Sequence, residues 1–418
     1  MNLLIVVLLC VAALAFPFSV AATNLALGGA LAAGVLSGAW WRGARQCWQN
    51  YKYLTIIICS YMLLIVAGLL WSLDPKWGLH VLGRQWFWMI IPVVVSVMAN
   101  EKWRKLFLYA LSLGLTLNLG YCLLQMYGYV HVTTTGSNAA DATGHIGHIG
   151  FGFVYGIWAG WLLHLGLQWR GVSRWIAWAL AAVSYVMIFS AQGRSGYLIA
   201  VVLIFCVLLK WIFDSKNWKA AVPVMAGFLL ILLVIALGPG KERVHGTWQA
   251  FTQEHQLEGF DQLDSSDNAF IATQERFYMW KTSIKIWQQH PMLGVGTGGL
   301  PKAVADMKTA FHHSKEITIT RPFSHPHNQY ILNLTRWGPI GILVLLTLLV
   351  AWVWEGLKKD WQYSFTTPLF ALSGLALALH ALSSASMEEH FSAILASLLL
   401  AIAISAHNDD SDSGDCGV

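Results

Sequence analysis

Apolar residues recur in long blocks along most of the chain, and short breaks of charged residues, Gly or Pro separate one block from the next. Each block runs ~20 residues, the length a helix needs to cross a hydrocarbon core about 30 Å thick. The breaks predict helices at 2–21, 22–39, 54–72, 79–99, 106–128 and 146–168, then at 174–190, 195–213, 220–238, 328–354, 366–384 and 389–406. The fold class implied is an all-α integral membrane protein of about twelve transmembrane helices with one large, partly helical extracytoplasmic loop. Its organisation is nine helices in 1–237, the loop at 238–326, three helices in 327–406 and an acidic tail at 407–418. No Lys or Arg precedes the first apolar run, which argues for a retained first helix and against a cleaved leader.

Composition adds an exclusion. Hydrophobic residues fill 56% of 418 positions and charged residues 11%, a balance no water-soluble domain of this size carries on its surface. Charge placement then gives orientation. Thirteen Lys and Arg lie in alternate connections, from Arg42 and Arg45 to Lys358 and Lys359, against Lys76, Arg84 and Arg194 in the others. Cytoplasmic connections hold such an excess, so both termini are expected in the cytoplasm and the 238–326 loop outside. The net charge of +5 is thereby assigned to topology and makes no case for nucleic acid. Trp residues gather at span ends, as at Trp40, Trp41, Trp169 and Trp175, and read as interfacial anchors. Cys10, Cys59, Cys122 and Cys206 fall in spans and Cys47 and Cys416 on the cytoplasmic side, leaving none for an outer disulfide.

The loop has its own pattern. Phe277, Trp280, Ile284 and Trp287 recur at steps of three and four, an apolar stripe that predicts a helix lying on the membrane or the bundle. His290-Pro291 ends it, and Gly294, Gly296, Gly298 and Gly299 form a turn whose backbone amides could approach an anion, or which is simply a turn.

Three residues carry candidate chemistry. Arg194, in Gln192-Gly193-Arg194-Ser195-Gly196, precedes a helix whose N-terminus points outward, so guanidinium, free amides and dipole would act together on an anion. The alternative is an interfacial arginine reaching for headgroups; its position against the charge bias favours function. Arg276 sits beside the apolar stripe, either facing a phosphate or pairing with Glu275 or Asp267. His327 opens the tenth span within Ser324-His325-Pro326-His327-Asn328-Gln329, where the dipole biases imidazole to its neutral, proton-accepting form. A structural cap is the competing role. His325 and His327, with His312 and His313 upstream, raise the thought of zinc, but no carboxylate or cysteine sits at ligand spacing, so no metal is expected.

These residues fall in blocks that resemble a known family. His327-Asn328 followed after nine residues by Gly338-Pro339-Ile340-Gly341 resembles the signature of O-antigen ligases. Gln274-Glu275-Arg276-Phe277-Tyr278 through Pro291-Met292-Leu293-Gly294-Val295-Gly296 resembles a second block, and Gly193-Arg194-Ser195-Gly196 a third. The blocks span 190–341; the N-terminal helices match only in number and hydropathy. The superfamily also holds O-antigen polymerases and protein O-oligosaccharyltransferases, and chain length without a large domain after the last span favours the ligase.

The resemblance implies a GT-C-like membrane glycosyltransferase of the Gram-negative inner membrane with a periplasmic active site. It would move a glycan from undecaprenyl pyrophosphate to a sugar hydroxyl of the lipid A core, completing lipopolysaccharide, with membrane lipids around it, inversion at the anomeric carbon and no cofactor. In that scheme Arg194 and Arg276 stabilise the departing pyrophosphate and His327 takes the acceptor proton. Tyr278, His325, Asn328, Arg321 and Arg84 are candidates to line the same cavity. A transporter or flippase is the rival from another class; it calls for midplane ionisable residues and repeat symmetry, and no internal repeat is visible.

Overall fold

The computed structural model describes residues 1–131, 141–191, 193–216, 218–220, 222, 268–312, 323–362 and 364–406. The expected ninth helix at 220–238, the loop segments 238–267 and 313–322 with Arg321 and His313, and the tail at 407–418 lie outside these residues, 220 and 222 excepted. Among the described residues the regular structure is all helical.

In chain order the helices are α1 (Asn2–Ala15), α2 (Val20–Leu36), α3 (Ala39–Asn50), α4 (Lys52–Ala67), α5 (Pro75–Gly83), α6 (Ile90–Val97), α7 (Glu101–Met126) and α8 (Gly147–Gln168). They continue with α9 (Val172–Ser190), α10 (Arg194–Ser215), α11 (Asn268–Gln289), α12 (Leu300–His312), α13 (Gln329–Leu357), α14 (Thr367–His380) and α15 (His390–Ser405). Apolar blocks and helices coincide, because in lipid only a helix satisfies every backbone group within its own segment.

Among the described residues five helices are long and apolar enough to cross a membrane, and up to seven spans result if each of two bent pairs counts once. Four more apolar helices, α1, α4, α14 and α15, have 14 to 16 residues, ~21–24 Å at 1.5 Å per residue and short of a full hydrocarbon core alone. The bent pairs depart from the sequence reading. The block at 22–39 is followed by α3, an amphipathic helix turned 87° from α2 at Gly38, where a charged connection was expected. The block at 79–99 is broken by 42° between α5 and the segment Trp86–Val97, leaving Arg84 and Gln85 at the break. Arg104, expected as a solvated charge between helices, is 2% exposed and donates to the carbonyls of Met98 at 3.0 Å and Ser405 at 3.5 Å. There it closes carbonyl ends that a terminating helix leaves open.

The bundle centres on α8, which packs on α9, α10, α14 and α15 and is the most buried of the spans. Close approach of α8 and α10 needs glycine on both: a Cβ on Gly152 would stand 2.2 Å from the Gly196 Cα. Small residues admit such contacts in lipid, where packing replaces the hydrophobic effect as the force between helices. Gly196 thus seats the first turn of α10, and with it Arg194, against the start of α8.

The second organising feature is a break inside α13. Gly338 has φ 64 and ψ −155, a conformation open essentially to glycine alone, and Pro339 has no N–H to donate to the Thr335 carbonyl. The carbonyls of Thr335 and Arg336 are taken instead by the amides of Val295 at 2.9 Å and Gly296 at 2.8 Å. The next amide, Thr297, donates to the Gly68 carbonyl beyond α4 at 3.0 Å, and the Thr297 hydroxyl to Ile65 at 2.7 Å. The glycine turn at 294–299 is therefore a backbone clamp, with the amides of Gly294, Val295, Gly296, Thr297 and Gly299 donated to backbone carbonyls.

The clamp generates a stability test. Replacing Gly338 with Ala would force a Cβ to 2.3 Å from the Met292 carbonyl on top of a backbone cost of about 1–3 kcal/mol. The thermal unfolding midpoint of the purified protein in detergent should fall by several degrees. Gly120→Ala on α7, where nothing lies within 4 Å, should leave it unchanged or slightly raised.

Candidate active site

One end of the bundle gathers the start of α10, α11, the 323–328 segment before α13, the α5–α6 break and the 381–389 connection between α14 and α15. The 381–389 connection is held on several sides. Gln329 N–H donates to the Ala381 carbonyl at 2.8 Å, Gln329 Oε1 accepts from Met387 N–H at 3.1 Å, and Gln85 Nε2 donates to the Met387 carbonyl at 3.0 Å. His380 Nδ1 meets Ser386 Oγ at 2.7 Å while Nε2 meets the Ile149 carbonyl at 3.0 Å, tying the connection to α8.

Arg194 Nη1 donates to Thr273 Oγ1 on α11 at 2.6 Å. Thr273 and Arg276 are three residues apart and share one helix face, so Arg194 reaches the face of α11 that carries Arg276. Burial lowers the Arg276 pKa and the negative charge of Glu389 opposes the shift. Trp280 Nε1, one turn on, donates to the Pro326 carbonyl at 2.8 Å and fastens the histidine segment to the same helix.

His327 lies just outside α13 with φ 50, a left-handed conformation that His adopts more readily than most residues. Its pKa is lowered to about 4 by burial first, then by His325 and by the Arg276 charge. Burial and the neighbouring His325 and Arg276 thus favour the neutral imidazole. The His325 ring stands 4.4 Å from it, edge to face. Burial lowers the His325 pKa as well; Glu388 and Glu389 pull it up, and Arg336 and Arg84 push it down. Nδ1 of both rings is buried without a hydrogen-bond partner among the described residues. Unpaired buried polar atoms cost about 1–3 kcal/mol each, so these two nitrogens invite a ligand. Among the described residues no three His, Cys, Asp or Glu gather as a metal-ligand set.

The weaker candidates separate. Arg84 is exposed at the α5–α6 break, close enough to His325 to act on it electrostatically. Asn328 caps α13, accepting from Ile331 N–H at 3.0 Å and donating to the Leu382 carbonyl at 3.0 Å; the cap that the sequence offered as an alternative role for His327 is supplied by its neighbour. Tyr278 is two residues from Arg276, about 200° around the helix, and packs with Ile286, Leu300 and Val304 away from it. Arg321 lies outside the described residues. The apolar stripe of α11 is rotated from expectation: Phe277 and Ile286 are buried with Thr273, Thr282 and Ser283, while Ile284 and Trp287 are partly covered. Small residues face α13 because that contact is tight, Thr335 Oγ1 donating to the Ser283 carbonyl at 3.3 Å.

Sequence reasoning missed the charge behind the histidines. Arg336, 1% exposed, and Glu388, 6% exposed, form a two-pronged ion pair, Nη1 to Oε1 and Nη2 to Oε2 at 3.3 Å. Ser384 Oγ donates to Glu389. The signal was an Arg inside an apolar span and two Glu opening another, since ionisable residues within spans are costly and pair with one another.

The fold and site together define a multi-pass helical membrane protein with a basic, imidazole-bearing site at one end of its bundle. Residues 176–346 match the family model for O-antigen ligase, the family the three sequence blocks resemble, and Arg194, Arg276 and His327 all fall inside the match. The match supports an O-antigen ligase or polymerase type of function; members of the family are membrane glycosyltransferase-like enzymes. No curated protein matches the chain.

Two measurements probe this architecture. Arg336→Met should destabilise the purified protein by about 3–5 kcal/mol in denaturant titration by leaving Glu388 buried and unpaired, and Arg336→Met with Glu388→Leu should recover most of that loss. The second concerns acid. With His327 near pKa 4 in the fold and about 6.5 in the unfolded chain, the unfolded state binds more protons between those values. Its stability contribution is present above pH 6.5 and lost as pH falls toward 4, so unfolding midpoints should drop over that window by less in His327→Gln than in the parent.

Proposed function

We propose that this chain is an O-antigen ligase, transferring a glycan from undecaprenyl pyrophosphate to a sugar hydroxyl of the lipid A core at the periplasmic face of the inner membrane. The observation that carries the reading is the neutral His327 imidazole, its Nδ1 unpartnered, beside an Arg276 that shares its helix face with the Arg194 contact. The remaining topology belongs to the same reading: about twelve spans with both termini cytoplasmic and the 238–326 loop outside, as hydropathy and the bias of Lys and Arg favour.

The geometry suits the chemistry. A glycosyl pyrophosphate leaves as a multiply charged anion, and two guanidiniums offer it planar, two-pronged hydrogen bonds in a partly desolvated setting where such bonds are strongest. Arg194 also sits at the N-terminus of α10, whose dipole acts in the same direction. His327 takes the proton of the acceptor hydroxyl as that oxygen attacks the anomeric carbon from the face opposite the pyrophosphate, which inverts the centre. His325, held between carboxylates and guanidiniums, orients His327 through ring contact. Since the arginines supply the positive charge that phosphoryl chemistry otherwise draws from a divalent ion, the reaction is metal-independent.

The test uses the purified protein with lipid-linked donor and lipid A core acceptor. Arg276→Ala should weaken donor binding and slow transfer, with Arg276→Lys a partial rescue. His327→Ala should leave donor binding nearly intact and slow transfer by on the order of 100- to 10,000-fold. Loss of donor binding in His327→Ala with retention in Arg276→Ala would reverse the roles, and activity abolished by chelator and restored by magnesium would remove the metal-independent scheme. Product chains that grow on undecaprenyl pyrophosphate instead of on core would identify a polymerase.

A further inference from the structure

At the opposite end of the bundle a cavity of about 200 Å³ opens between the end of α8, the start of α9, the end of α10 and the segment before α14. It lies a whole helix away from the candidate active site: α10 starts at Arg194 and ends at the cavity with Asp214 and Ser215, ~33 Å along its axis. Its polar lining includes Arg170 and Arg174, and Leu167, Trp211 and Trp361 form apolar walls.

The charges in this cavity do not cancel. The one carboxylate in its lining, Asp214, is spent: Oδ1 pairs with Lys210 at 2.5 Å and Oδ2 accepts the Trp361 N–H at 2.8 Å. Arg174 donates through Nε to the Trp169 carbonyl at 2.7 Å and lies over the Trp178 ring at 5.5 Å, contacts that orient its guanidinium without neutralising it. Among the described residues no carboxylate pairs with Arg170 or Arg174. Arg170 is exposed at the rim. Deeper in, Gln168 Nε2 is fixed on the Trp361 carbonyl at 2.7 Å and the buried His164 on the Ser364 carbonyl at 3.2 Å, so the back wall is rigid. An exposed arginine at the rim and a partly buried one beside it thus border a recess whose internal acid is already paired.

We infer that this cavity is a binding site for a phosphoryl anion, supplied either by the headgroup of an anionic phospholipid of the adjacent leaflet or by free phosphate. Two guanidiniums supply the forked donors that phosphoryl oxygens accept, basic pockets between transmembrane helices are suited to lipid headgroups, and Trp211, Trp361 and Leu167 offer an apolar surface on which acyl chains could continue. The site is separate from glycan transfer and stands on its own geometry.

Calorimetric titration of the full-length protein in detergent separates the outcomes, with a short-chain phosphatidylglycerol, the matching phosphatidylcholine and inorganic phosphate as the probes. Phosphatidylglycerol should bind, and Arg170→Gln should weaken it about tenfold, one charge-assisted hydrogen bond, without moving the unfolding midpoint, because Arg170 is exposed. Phosphatidylcholine, whose ammonium would face the arginines, should bind about tenfold or more weakly than phosphatidylglycerol. Inorganic phosphate binding with the same sensitivity to Arg170→Gln would assign the site to the soluble anion. Equal affinity for the two lipids with no phosphate binding, or phosphatidylglycerol binding unmoved by both Arg170→Gln and Arg170→Gln with Arg174→Gln, would overturn the inference.

Discussion

Two backbone carbonyls set the geometry on which the candidate site depends. The break at Gly338 and Pro339 strips Thr335 and Arg336 of intrahelical donors, and in lipid a free carbonyl has no water to turn to. The amides of Val295 and Gly296 fill that need, and the turn that presents them is the one that ends α11. The clamp fixes α11 against α13, and the neighbouring Thr297 amide adds α4. Arg276 on one helix and His327 before the other are held in register by backbone groups that neither residue supplies. This gives a physical reason for the glycines of two separated sequence blocks to occur together: one block makes the unsatisfied carbonyls and the other satisfies them.

Charge at this end is arranged in two layers. The deeper layer, Arg336 with Glu388, is closed on itself and buried. Such a pair adds little net stability, but neither member can be removed alone without stranding the other, so it locks the 381–389 connection to α13. The upper layer, Arg194, Arg276 and the two histidines, is open. Burial keeps both imidazoles from gaining protons, so positive charge near the opening rests on guanidiniums, which retain it at any accessible pH. An anion-binding surface beside a proton acceptor follows from that division.

The site is shared by parts of the chain that the family match does not cover equally. Arg194, Arg276 and His327 lie inside residues 176–346, whereas Arg84, Glu388 and Glu389, which act electrostatically on the histidines and Arg276, lie outside. The segments that flank the match supply the counter-charges and, through His380 bonded to the Ile149 carbonyl, the tie to α8.

Hydropathy placed helices in the apolar blocks among the described residues, because the cost of an unpaired backbone group in lipid leaves such a block no other structure to adopt; it did not show the breaks that divide or bend them. It also located three candidate catalytic positions, since an outward arginine, an arginine beside an amphipathic stripe and a histidine before a span are anomalies visible in one dimension. Only the tertiary structure decided which anomalies meet. The Thr273 bridge that brings Arg194 to α11, the rotation that turns Tyr278 away from Arg276, and the use of Asn328 as a cap depend on helix rotation and on how tightly α11 approaches α13. Periodicity cannot supply those quantities. The same holds for Arg336 and Glu388, which are 52 residues apart: each alone is a charge that a span could scarcely hold, and it is their meeting that makes both tolerable.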